Sequence, residues 1–86
     1  MKEFLEWVVE SIGKGEFSKD LTEKVFEISE KYMRDEFNKE KFVKELISSL
    51  SVIGFRADPF KIEEEIKKCE EEYIRNVALR ILKMKK

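Results

Sequence analysis

Residues 58–84 read DPFKIEEEIKKCEEEYIRNVALRILKM, and no other stretch says as much about the fold. Asp58 offers a short side-chain oxygen to early backbone N–H groups. Pro59 follows at the first helical position, where its missing N–H costs nothing. No glycine or proline appears from there to the last residue. The spacing therefore predicts one long C-terminal helix, which from Pro59 to Met84 would run roughly 39 Å at 1.5 Å per residue.

Within this stretch Ile62, Ile66, Cys69 and Tyr73 fall within roughly 40° of one line down a helix, a single buried seam. Beyond Tyr73 the apolar residues Ile74, Val77, Ala78, Ile81 and Leu82 are centred roughly 100° away, and Arg80 returns to the line of the first seam. A straight helix then needs cover on two sides. A second chain supplies it in the expectation drawn from the sequence: Ile74, Ala78, Ile81 and Leu82 form a partner-binding surface, with the partner a second copy or another protein. Acids early and bases late would let two copies pair antiparallel across a two-fold axis.

Upstream, the remaining glycines punctuate three shorter amphipathic stretches. Phe4, Leu5, Val8, Val9 and Ile12 recur at helical spacing and stop at Gly13-Lys14-Gly15, so the first helix covers about residues 2–12. Ser18 is placed to cap a second helix bearing Leu21, Val25, Ile28 and Tyr32. Asp20 in its first turn suits the positive end of the helix dipole. Asn38 is placed to cap a third, with Phe37 before it and Phe42 four residues inside, the spacing of a hydrophobic staple. Val43, Leu46, Ile47 and Leu50 continue that face until Gly54.

Strand alternation is absent, and the expected fold is all-α: a small four-helix domain or bundle with a long C-terminal helix, one domain over residues 1–86. Its expected core is Phe4, Val8, Ile12, Leu21, Val25, Ile28, Tyr32, Phe42, Leu46, Leu50, Ile62, Ile66, Cys69, Tyr73 and Val77. Glu27 with Lys31, Glu30 with Arg34, Glu40 with Lys44, Glu63 with Lys67, Glu64 with Lys68 and Glu71 with Arg75 stand at i, i+4. That spacing predicts ion pairs within helices.

Composition narrows the chemistry. Charged residues make up 43% of the 86, yet the net charge is −1, so no global field draws the chain to nucleic acid or an anionic surface. With no histidine and one cysteine, neither an intrachain disulfide nor a zinc site of the usual ligands can form within one chain. Glu27 and Glu30 lie one helical turn apart, a spacing that can serve a divalent cation, but each has a basic residue four positions on. The triplets Glu63–Glu65 and Glu70–Glu72 read as solvated helix surface. No phosphate-binding glycine loop or nucleophile elbow occurs, so the expectation is a non-enzyme with no cofactor.

The amino-terminal stretch carries Glu3 and Glu6 where a signal peptide needs unbroken apolar residues, which predicts a cytoplasmic protein without a membrane span. Absence of glutamine and abundance of Lys and Glu resemble the composition of heat-adapted proteins. Residues 73–86 hold Arg75, Arg80, Lys83, Lys85 and Lys86 and no acid. This basic tail supports the alternative of a nucleic-acid-binding accessory protein. The favoured expectation is a protein-interaction or self-assembly module acting through the C-terminal helix.

Overall fold

The computed structural model describes residues 1–50 and 59–85, and the side chains of all of these except 59–61. The described chain is all-α: α1 (Lys2–Lys14), α2 (Lys19–Arg34), α3 (Lys39–Leu50), α4 (Pro59–Lys68) and α5 (Glu71–Lys83). The expected terminator Gly54 and the expected cap Asp58 lie outside the described residues, although α4 does begin at Pro59.

The first three helices start and stop where local chemistry directs. α1 runs through Gly13 and ends at Gly15, whose φ of 70° is the left-handed conformation a glycine adopts without Cβ strain. Gly15 N–H donates to Ile12 O at 3.1 Å and Glu16 N–H to Ser11 O at 2.9 Å, satisfying two terminal carbonyls. At α2 the Ser18 hydroxyl accepts from Leu21 N–H at 3.2 Å. At α3 Asn38 Oδ1 accepts from Lys41 N–H at 3.1 Å, and the Phe37 and Phe42 rings close the staple at 5.7 Å between centroids.

The long C-terminal helix is not continuous. The chain leaves the helix after Lys68, Glu70 takes an extended conformation (φ −65°, ψ 136°), and α5 begins at Glu71. Neither glycine nor proline marks the break. Its physical reason is the rotation of the apolar stripe: a straight helix could not aim both Ile66 with Cys69 and Ile74 with Ile81 at one core. Interrupting it allows both pairs to be buried. Lys39 supports the junction from α3 by donating from Nζ to the Cys69 carbonyl at 2.9 Å.

α5 packs against α1, α2 and α3, while α2 also lies on α3, and α3 carries α4. The core draws on every helix: Leu5 and Val8 from α1, Val25 from α2, Phe42 and Leu46 from α3, Ile66 from α4, and Ile74, Val77 and Ile81 from α5, all at 0% exposure. Four expected core residues, Ile12, Leu21, Ile62 and Tyr73, are half-buried at its margin. Phe17, in the α1–α2 connection, enters the core and meets the Trp7 ring edge-on at 5.4 Å.

None of the pairs predicted at i, i+4 is among the ion pairs of the described residues. Each of those links separate parts of the chain: Lys31–Glu45, Lys44–Glu63, Arg80–Glu6, Lys85–Glu30 and the Met1 amine with Glu65. Of the acids in those predicted pairs, Glu63 and Glu30 find their counter-charges elsewhere in the chain, on Lys44 and Lys85. No described helix is long and apolar enough to cross a membrane.

Candidate functional site

The break before α5 decides which of its residues can meet anything outside the chain. Ile74, Ala78 and Ile81, expected to contact a partner, are each 0% exposed because α1, α2 and α3 cover them. The second chain inferred from the stripe is replaced, for these three, by the chain's own helices. Leu82, the fourth expected contact, is half-buried.

The basic set is divided as well. Arg80 is clamped by Glu6 from α1 through two hydrogen bonds, Nη1 to Oε1 at 2.8 Å and Nη2 to Oε2 at 3.1 Å. Lys85 is paired with Glu30 of α2. Arg75 and Lys83 remain exposed without a carboxylate partner among the described residues, and Lys86 lies outside them. The clamp at Glu6 has a third member, since the Tyr73 hydroxyl donates to the same Oε1 at 2.8 Å. Arg80 foremost, then Tyr73, holds the Glu6 carboxyl below its ordinary range. Burial and the adjoining Glu6 push the Tyr73 phenol up to about 12. Lys2 sits over the Tyr73 ring, 5.1 Å from its centroid.

A second cluster repeats this chemistry between α2 and α3. Glu45 accepts from the Tyr32 hydroxyl at 2.8 Å and from Lys31 Nζ at 3.2 Å, and its carboxyl is likewise lowered, by Tyr32 first. Burial chiefly, then Glu45, raises the Tyr32 phenol. Both tyrosines complete their hydrogen bonding inside the chain, which makes them joints between helices.

α5 leaves Glu72, Asn76 and Arg80 exposed and, along i, i+4, a ridge of Glu71, Arg75, Leu79 and Lys83, all exposed as well. At 39% Leu79 is the exposed large hydrophobic of the described residues. Glu71 also borders an open groove with Tyr32, Asp35, Phe37, Asn38 and Lys41, whose mixture of charges selects no sign of ligand. Among the described residues no three His, Cys, Asp or Glu side chains converge to hold a metal ion, and Glu30 of the Glu27–Glu30 pair is engaged by Lys85.

Residue spacing could have revealed the ridge, because Glu71, Arg75, Leu79 and Lys83 stand at a strict interval of four. Neither protein-family models, nor curated proteins, nor solved structures match this chain.

Proposed function

We propose that the chain is a non-catalytic protein-interaction module that presents the outer ridge of α5. The observation that carries this reading is the position of Leu79. It is exposed on a helix whose opposite face is fully enclosed, one turn from each of two cations that pair with no carboxylate among the described residues. An apolar side chain between unpaired guanidinium and ammonium groups suits a protein surface that offers both an apolar contact and carboxylates. Half-buried Leu82, three residues on, widens the apolar part.

The nucleic-acid alternative loses support because Arg80 and Lys85 already neutralise Glu6 and Glu30. Phosphate would have to displace carboxylates to recruit them, and each contact not made removes about 0.9 from the slope of log affinity against log salt on duplex DNA.

Replacing Leu79 by a photoreactive p-benzoylphenylalanine tests the reading in cells, with the same residue at Glu23 of α2 as the exposed control. A discrete protein adduct at position 79, weakened by Arg75→Glu and absent at position 23, is the expected result. Equal labelling at both positions, or an adduct removed by nuclease, would reject it.

A further inference from the structure

We infer that the partner for the α5 ridge is a second copy of this chain, bound antiparallel about a two-fold axis that crosses the outer side of α5 between Arg75 and Leu79. The inference rests on the interaction surface proposed above and adds the identity of its occupant. The ridge reads Glu71, Arg75, Leu79, Lys83 in one direction and Lys83, Leu79, Arg75, Glu71 in the other. Laid against itself head to tail about that axis, it places Glu71 of each copy opposite Lys83 of the other. Arg75 then lies opposite Leu79, and Leu79 opposite Arg75.

Each juxtaposition is favourable. Glu71 and Lys83 are exposed and lack a counter-ion among the described residues, so pairing across the axis breaks no existing ion pair there. Arginine carries an aliphatic stem that can cover leucine while its guanidinium stays in water. The two-fold repeats every contact, the self-complementarity that an isologous interface requires. A parallel arrangement would set Glu71 against Glu71 and Lys83 against Lys83.

The one cation of α5 that lies off the ridge is occupied. Arg80, which α5 also carries, is turned towards α1 and held by Glu6. Ile74, Val77, Ala78 and Ile81 face inwards, so the helix can be approached on its outer side with the core left intact. A ridge of four side chains on a helix of 13 residues is a small contact surface, and the association belongs to the weak, concentration-dependent class.

Sedimentation equilibrium of the full chain at low ionic strength, from micromolar to millimolar concentration, tests the pairing through charge reversal. The parent is expected to dimerise reversibly. Glu71→Lys alone and Lys83→Glu alone should each weaken the dimer by about tenfold, because symmetry applies every like-charge contact twice. The double variant E71K/K83E should recover the parent's dissociation constant to within about threefold. Circular dichroism of all variants establishes that the fold is unchanged.

A monomeric parent at millimolar concentration overturns the second copy as occupant, while the photocrosslinking result at position 79 stands or falls by itself. A dimer indifferent to both single reversals overturns the ridge as its seam. Failure of the double variant to recover overturns the antiparallel register.

Discussion

Tyr73 of α5 donates its hydroxyl to Glu6 of α1 at 2.8 Å, a bond between residues 67 positions apart in the chain. Arg80 reaches the same carboxylate from two turns further along α5. Together they tie α1 to α5 through one carboxylate that accepts from both.

This arrangement makes stability depend on pH at both ends of the scale. The folded chain holds the Tyr73 proton more tightly than a free phenol of pKa about 10, so the contribution is complete below pH 10. It disappears as pH rises through the folded value of about 12. Glu6 behaves oppositely: its carboxyl is lowered, and its contribution is present above the ordinary value of 4.5 and lost as pH falls through the folded value. Tyr73→Phe should cost about 1 kcal/mol at neutral pH and lessen the loss of stability between pH 10 and 12. Urea midpoints followed by Trp7 fluorescence at pH 7 and 11 measure this. An unchanged difference between the two pH values would count against the Glu6–Tyr73 bond.

Ile81 and Leu79 are two residues apart on α5, and a glutamate at each should act very differently. Ile81 is 0% exposed, so Ile81→Glu places a carboxylate in the core and should destabilise the monomer by more than about 3 kcal/mol. Leu79→Glu should cost much less, about 1 kcal/mol or below, since 39% of the residue is already open to solvent. Thermal melts at a concentration below that of self-association separate the cases. Comparable losses for both would mean that α5 is rotated from the position described.

The junction between α4 and α5 can be tested by the sign of a single change. Glu70 occupies the cap position of α5 but makes no side-chain cap hydrogen bond, its side chain being longer than those that favour this position. Glu70→Asp should stabilise the chain by about 0.5 to 1 kcal/mol by satisfying an early N–H group. In a continuous helix the same change would instead lower stability, as aspartate is the poorer helix former. A fall in the denaturant midpoint would therefore exclude the break.

Gly15 should resist replacement for reasons of backbone alone. A Cβ there would meet nothing within 4 Å, yet φ is 70°. Gly15→Ala should cost about 1 to 2 kcal/mol, whereas Gly13→Ala, inside the last turn of α1 with equally open space, should be neutral or stabilising. Equal effects in differential scanning calorimetry would remove the left-handed cap from α1.

Much of the fold was legible because it is written in local chemistry. Ser18 and Asn38 cap helices through bonds that span three residues, and the Phe37–Phe42 staple spans five. The break at Glu70 carries no such mark. Its trace in the sequence is the turn of the apolar stripe after Tyr73, which is compatible both with an interrupted helix and with a second chain covering a straight one. Resolving that choice requires knowing that α1, α2 and α3 together cover the inner face of α5, a tertiary fact. Phe17 belongs to no periodic stretch, and its burial, with the Trp7 ring edge-on to it, is likewise a tertiary fact. At the surface, regular spacing suggested ion pairs along helices, while helix packing determined which charges actually approach.

Those ion pairs alter what the chain's abundant charge accomplishes. A pair at i, i+4 can form in an isolated helix and so persists in a denatured ensemble that keeps fluctuating helical segments. The pairs Lys31–Glu45, Lys44–Glu63, Arg80–Glu6 and Lys85–Glu30 exist only when two helices are correctly juxtaposed. Exposure keeps each weak, at about 0 to 1 kcal/mol, and screening shortens their reach from about 10 Å at 0.1 M salt to about 3 Å at 1 M. Their whole contribution nevertheless falls on the native side of the unfolding equilibrium. The surface charge thus helps distinguish one assembled chain from a string of separately formed helices, giving a polar coat a part in cooperativity.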